Sequence, residues 1–296
     1  MHGTGNDFVL IDGRKQPVAL DAATVQRLAN RHTGIGCDQL LVLEPSTKAD
    51  ARMLIYNADG SEISTCGNAT RCVADFLMNE SGKAEATIET GAGVRKGWRA
   101  EDGGVTANMG TPRWEWQDIP LSESRNTLHL GIEEGRLMDP VAVNIGNPHV
   151  IFFVRDLAHI HMAEWGEKLE HHPLFPARAN ISAVQVMAEN HLKMVVWERG
   201  TGLTLACGSA ACAAVVAGIR LGLLDAQVDV QTHGGRLTIA WRGGDSPVMM
   251  TGPAEWEFSG TFDPASGAWT RDTESAAASS RSCPTYISAT IRRTSP

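Results

Sequence analysis

Two cysteines carry the chemistry that this chain suggests, because each opens a Cys-Gly step and the two steps match. Cys66 begins Cys66-Gly67-Asn68-Ala69, and Cys207 begins Cys207-Gly208-Ser209-Ala210, 141 positions later (207 − 66). The same offset links Gly5-Asn6 to Gly146-Asn147, Gln39 to Asn180, and Asn57 to Glu198. Each half therefore carries a polar set that ends in a Cys-Gly turn. At a loop-to-helix junction such a thiol meets free backbone N–H groups and the positive end of the helix, so its pKa is expected to be lowered. The N–H groups of Gly67-Asn68 and Gly208-Ser209 are expected to hold an anion such as a carboxylate. Glycine beside the thiol lets backbone approach that ligand closely. Two such ends folded against each other would flank one α-carbon with two sulfurs. That arrangement suits taking a proton from one face of the carbon and returning one to the other.

Taken singly, most of these residues have plainer readings. A free cysteine usually packs as a small hydrophobe, and Cys37, Cys72 and Cys212 are read that way, since Cys72 falls opposite Ala213 in the repeat and Cys212 opposite Arg71. Asn57-Ala58-Asp59-Gly60 is an ordinary turn sequence, His149 beside Pro148 an ordinary packed histidine, and Glu198-Arg199 a surface ion pair. The set outweighs those readings because it recurs at one offset. A Cys66–Cys207 disulfide is allowed as geometry, but a reducing compartment argues against it as the working state. Structural zinc is disfavoured, since neither Cys66/Cys72 nor Cys207/Cys212 has Cys-x-x-Cys spacing and no histidine pair completes a set. Gly3-Thr4-Gly5 lacks the third glycine and the preceding strand of a dinucleotide-binding turn.

The elements that must position the two thiols also come in pairs. Helices are expected at Asp21–Arg31, with Asp21 as cap, and at Asp156–Leu169 as its counterpart. A second pair follows the cysteines, over Ala69–Asn79 and from Cys207 to about Leu221. Strands are expected at Phe8–Asp12, Gln39–Leu43, Met53–Tyr56, Ala86–Thr90, Gly93–Ala100 and Val105–Met109. In the second half they are expected at Val141–Ile145, Val150–Val154, Val184–Met187, Lys193–Trp197, Gln227–Gln231 and Arg236–Trp241. The chain thus reads as two duplicated α/β (α+β) domains. Residues 1–112 carry Cys66 and residues 113–250 carry Cys207. Residues 251–264 form a closing segment expected to return to the N-terminal domain. Residues 265–296, rich in Ser, Ala, Thr and Arg and containing Cys283, are expected to be a disordered tail.

Composition narrows the partners. The 296 residues are 43% hydrophobic, enough for a large core. The net charge of −8 comes without a dense Lys/Arg run, which disfavours nucleic acid or an anionic membrane as partner. Cys207–Leu224, the most apolar stretch, contains Arg220 and reads as a buried helix rather than a membrane span. Met1-His2-Gly3 has neither the basic segment nor the apolar core of a secretory signal. Six sparse cysteines fit reduced thiols in the cytoplasm.

Eight separated motifs, taken together, resemble the diaminopimelate epimerase family. They are Met1-His2-Gly3-Thr4-Gly5-Asn6-Asp7-Phe8, Gly36-Cys37-Asp38-Gln39-Leu40-Leu41, Asn57-Ala58-Asp59-Gly60-Ser61, Cys66-Gly67-Asn68, Gly146-Asn147-Pro148-His149, Arg178-Ala179-Asn180-Ile181, Glu198-Arg199-Gly200 and Ala206-Cys207-Gly208-Ser209. The resemblance spans roughly residues 1–262. It implies two pseudo-symmetric domains, each a curved, mostly antiparallel sheet wrapped round a central helix. It also implies interconversion of LL- and meso-2,6-diaminopimelate, on the route to lysine and peptidoglycan, with no pyridoxal phosphate, other cofactor or metal. By this resemblance Cys66 and Cys207 are the acid/base pair, and His149 and Glu198 tune them. Asn6, Gln39, Asn57, Asn147, Asn180, Glu198 and Arg199 bind substrate, while Gly67, Asn68, Gly208 and Ser209 hold its reacting carboxylate. Ala69 and Ala210 stand where many family members have glycine. The family pattern begins several residues before its His-Gly motif, so a leading edge strand is expected to be missing or to lie upstream of the assigned start. The expected partner is the small-molecule substrate, with a homodimer as the candidate assembly. Proline, hydroxyproline or histidine racemisation on the same scaffold remains open as an alternative, and so does a thiol redox switch.

Overall fold

A computed structural model describes residues 1–263 and 268–272. It divides the chain into a unit of Met1–Val105 with the described residues from Ala254 onward, and a unit of Thr106–Pro253. The expected limits were 112 and 250. The first boundary falls earlier because the strand Val105–Asn108 neighbours Met249–Gly252, a strand not anticipated from the sequence.

In the first unit the strands run side by side in the order His2–Gly3, Asn6–Asp12, Gln39–Glu44, Ala51–Asn57, Glu85–Thr90 and Gly93–Arg99. Asn6–Asp12 lies parallel to Gln39–Glu44, and Ala51–Asn57 parallel to Glu85–Thr90; the other neighbours are antiparallel. Helix α1 (Ala22–Ala29) starts at Asp21, whose carboxylate accepts from the Thr24 N–H at 2.8 Å. Helix α2 (Gly67–Ser81) starts at Cys66 and stops at Gly82, which takes φ +69°. Alternation along Gln39–Glu44 divides its side chains between two layers. Leu41 and Leu43 join the α2 core with Phe8, Ile55 and Val73, and Leu40 and Val42 join the α1 core with Val25 and Leu28.

The second unit repeats this plan. Its strands follow the order Val105–Asn108, Met249–Gly252, Gly235–Ala240, Gln227–Thr232, His191–Glu198, Asn180–Ala188, Pro148–Phe153 and Val141–Asn144. Helix α3 (Met162–Glu170) answers to α1, and helix α4 (Gly208–Arg220) to α2. Strand register repeats as well. Phe8 faces Gln39 as His149 faces Asn180, and Leu40 faces Tyr56 as Ile181 faces Trp197. Helix α4 is apolar almost all round and is covered by strands from 141–145, 192–196 and 228–239, which is how a helix without a polar face survives. The fold is α+β with an internal duplication.

Three expectations need correction. The helix expected over Asp156–Leu169 is broken: Asp156 caps a single 3-10 turn at Leu157–His159, and α3 begins only at Met162. The strand expected at Val184 begins at Asn180, where parallel pairing to His149 extends it. The tail is not structureless from its start. Trp269–Arg271 pairs antiparallel with Gly260–Phe262, and Trp269 stacks on Phe258 at 6.3 Å between centroids. Two aromatic rings supply burial that Ser/Ala/Thr sequence lacks. The rest of that tail, with Cys283, lies outside the described residues. Among the described residues no helix is long and apolar enough to cross a membrane.

Candidate active site

Both cysteines are N-cap residues. Cys66 (φ −147°, ψ 120°) precedes α2 and Cys207 (φ −134°, ψ 114°) precedes α4 in nearly the same extended conformation, and neither sulfur caps its helix. The first-turn N–H groups of Gly67-Asn68 and Gly208-Ser209 therefore stand at the helix end, where an anion is favoured.

The first unit holds two sets of bonded amides, one reaching the start of α2 and one between neighbouring strands. Asn68 Nδ2 donates to Asn6 Oδ1 (3.0 Å), and Asn6 Nδ2 donates to Asp38 Oδ2 (3.1 Å). Gln39 and Asn57 are register partners, and Gln39 Nε2 donates to Asn57 Oδ1 (3.0 Å) while Asn57 Nδ2 donates to Ser61 Oγ (3.1 Å). Two buried acceptors, Asn68 Oδ1 and Gln39 Oε1, have no partner among the described residues, so they can accept N–H groups from a ligand. Asn6 follows the tight turn Thr4-Gly5, with φ +57° and +82°. A threonine in that region is strained, and Thr4 is held there by the buried Arg71, whose Nη2 donates to Thr4 Oγ1 at 2.8 Å. Beneath Asn6, Arg31 makes two bonds to Asp7 (2.7 and 2.8 Å) and one to Asp38 (2.7 Å). Burial raises the Asp7 carboxyl, but the Arg31 guanidinium and the Asp38 N–H together hold it below its usual range. Asp7, Arg31, Asp38, Ser61 and Arg71 were not selected from the sequence. Asp38 adjoins Gln39 in Cys37-Asp38-Gln39, which was the available signal.

The second unit surrounds Cys207 differently. His149, fully buried, places Nε2 at 2.9 Å from Asn147 Oδ1 and 3.0 Å from Ser209 Oγ. An amide oxygen only accepts, so Nε2 carries the proton and donates. Nδ1 is buried without a partner among the described residues. Burial, helped by the Arg199 charge, pulls the His149 pKa from 6.5 down to about 3, so the ring is neutral. Ser209 Oγ in turn lies 3.5 Å from Cys207 Sγ. Glu198 faces the same sulfur and accepts from Thr204 Oγ1 at 2.5 Å. The lowered pKa expected at a helix start does not hold here. Burial pushes the Cys207 thiol well above its ordinary value, and the Glu198 carboxylate pushes it further; Ser209 and the Ala210 N–H pull the other way and lose. Asn180 Nδ2 donates to the Pro148 carbonyl (2.9 Å) and its Oδ1 accepts the Arg199 N–H (3.0 Å), while Arg199 Nη1 donates to the Ala177 carbonyl (3.0 Å).

Cys37, Cys72 and Cys212 are buried at 2%, 0% and 0% exposure. Burial raises the Cys37 and Cys72 thiols to about 12, which removes them as nucleophiles or bases near neutral pH.

In the first unit, then, Asn6 bonds Asn68 at the start of α2, while Gln39 and Asn57 form a separate bonded pair between neighbouring strands. In the second, Glu198 and Ser209 reach the Cys207 sulfur, His149 and Asn147 back Ser209, and Asn180 is bonded to Arg199. The sequence pattern of diaminopimelate epimerase matches residues 1–115 and 141–257. The diaminopimelate epimerase of Rhodospirillum centenum is 48% identical over 262 residues, covering 88% of this chain and 90% of that protein. The diaminopimelate epimerase of Acidiphilium cryptum is 47% identical over 265 residues, covering 90% and 95%. In fold, the chain is similar to a hydroxyproline epimerase from Agrobacterium vitis, with a TM-score of 0.62 at 17% identity, covering 85% of this chain and 87% of that one. With half-sites of this construction and relatives of this identity over nearly its whole described length, the chain belongs to the diaminopimelate epimerase family.

Proposed function

We propose that this protein interconverts LL- and meso-2,6-diaminopimelate by a two-base mechanism, with Cys66 and Cys207 as the two acid/base residues. The observation that carries the reading is the duplicated helix start: two cysteines in the same backbone conformation, each backed by first-turn N–H groups. In the proposed reaction the N–H groups of Gly67-Asn68 and Gly208-Ser209 hold the reacting α-carboxylate. They stabilise the charge that grows there when the α-proton leaves. One thiolate removes that proton, and the other sulfur, as thiol, delivers a proton to the opposite face; the reverse reaction exchanges the roles.

The raised pKa of Cys207 makes it the thiol of the resting protein, so Cys66 is assigned the first proton abstraction. Glu198 holds the Cys207 proton in place, and neutral His149 orients Ser209 against the same sulfur. Arg199, Asn57, Asn147 and Asn180 are assigned to the distal end of the substrate, because a guanidinium pairs well with a second carboxylate. Asn6, Gln39 and Asn68 offer amide oxygens to the α-ammonium. The reading makes the protein a cytoplasmic homodimer, independent of pyridoxal phosphate and metal, that supplies lysine and peptidoglycan precursors.

The test is incubation of the reduced protein with LL-diaminopimelate in D2O. Deuterium at Cα together with meso product is the expected result. A folded, reduced sample that does neither overturns the substrate assignment. Exchange with proline, hydroxyproline or histidine in its place would move the reading to those substrates.

A further inference from the structure

Glu170 is a buried carboxylate that the mechanism above does not use. It is the last residue of α3, 2% exposed. That is an adverse place for an acid, since the C-terminal end of a helix is its negative end and a buried charge is costly without close partners. Its oxygens are spent on one short segment. Trp197 Nε1 donates to Oε2 at 2.7 Å, and the Gly200 N–H donates to Oε1 at 2.9 Å. Arg178 approaches Oε1 at 3.4 Å and balances the charge. Trp197 and Gly200 bracket Glu198 and Arg199. Those two residues occupy a tight hairpin: Glu198 is the register partner of Gly202, the Thr201 N–H donates to the Glu198 carbonyl, and Gly200 takes φ +74°. In the duplication, Glu170 falls opposite Ala29 and Gly200 opposite Asp59. The clamp is thus specific to the half that carries the carboxylate and guanidinium.

We propose that Glu170 is a positioning residue, which fixes the Glu198–Arg199 turn and so sets affinity for a substrate with a second carboxylate-bearing end. The inference rests on the diaminopimelate reading for its substrate, and on the hydrogen bonds alone for its mechanical part. Glu170→Gln keeps the shape but offers one acceptor to two donors, turning an NH2 toward one of them.

The experiment compares wild type, Glu170→Gln and Trp197→Phe. In all three, amide hydrogen exchange at Arg199 and Gly200 is measured without substrate, and KM and kcat are measured for LL-diaminopimelate. Loss of a hydrogen bond to a charged acceptor corresponds to about tenfold or more in an equilibrium. Glu170→Gln is expected to speed exchange at Gly200 by about tenfold or more. It is expected to raise KM by about tenfold while kcat moves by less than about threefold, because the Glu198 carboxylate keeps its own bond from Thr204 Oγ1 and the loss falls on Arg199 as uniform binding. Trp197→Phe, which removes one donor only, should shift both in the same direction by less. Unchanged exchange at Gly200 overturns the clamp whatever the substrate proves to be. Faster exchange with an unchanged KM overturns the link to affinity. A wild-type sample inert toward diaminopimelate overturns the substrate reading alone, and the exchange result still decides the clamp.

Discussion

The helix starts at Cys66 and Cys207 share a backbone conformation and differ in exposure and in the residues that stand at matching positions around them. Cys66 is partly exposed, and Asn68, two residues on, bonds Asn6, which Asp38 and Arg31 hold in turn. Cys207 is 7% exposed, with Glu198 and Ser209 against its thiol and a buried neutral histidine behind Ser209. Position for position, Phe8 answers to His149, Asn57 to Glu198 and Asn68 to Ser209. The duplication gives two helix ends of equivalent backbone, and in the second Glu198 makes the sulfur hold its proton more tightly than burial alone requires.

The largest effect should come from removing either sulfur. Cys66→Ser and Cys207→Ser are each expected to lower kcat by about 10²–10⁴-fold with unchanged thermal unfolding, read by α-hydrogen exchange in D2O. Full activity in either variant would sink the two-thiol scheme. A second variant makes the halves more alike. Glu198→Gln, which removes the carboxylate facing Cys207, should lower that thiol's pKa. In a Cys66→Ser background, iodoacetamide alkylation of Cys207 at neutral pH is then expected to rise by about tenfold, as for one pKa unit. Alkylation that stays slow would assign the raised pKa to burial alone.

His149→Phe copies the first unit's residue into the second. Folded His149 titrates at about 3 against an ordinary 6.5, so between those values the unfolded chain binds a proton that the folded one refuses. Stability from this group is present above pH 6.5 and is lost as pH falls toward 3. The urea midpoint of His149→Phe should therefore fall less between pH 7 and pH 5 than that of wild type; equal falls would remove His149 as the cause. The smallest effect is expected from Asp38→Asn. It loosens Asn6 through a half-exposed network of modest strength, and KM for diaminopimelate should rise by about threefold, with kcat nearly unchanged.

Much of this arrangement was legible before any coordinates. Cys66, Cys207 and their amide partners are recognisable because a duplicated chain repeats its chemistry at one spacing, and a fixed offset survives in sequence whatever the fold does. The roles of Asp38 and Glu170 were not readable there, although Asp38 stands beside Gln39 in a quoted motif. An isolated acid in a polar stretch reads as solvated surface, and its role depends on donors that lie far along the chain: Asn6 for Asp38, Trp197 and Gly200 for Glu170. Helix α3 shows the same limit at the level of an element. Its periodicity extends back to Asp156, yet the Asp156 side chain caps a separate turn and holds the chain out of the helix until Met162.

The sequence by itself determined the duplication, the two Cys-Gly helix starts, the alternating strands and the apolar helix α4 that its sheet must cover. These follow from residue type and spacing, which act locally. Only the tertiary structure decided the state of Cys207. A helix start alone predicts a lowered pKa, but burial of the sulfur and the approach of Glu198 from another strand raise it, because desolvation and charge depend on what packs around an atom rather than on its neighbours in the chain.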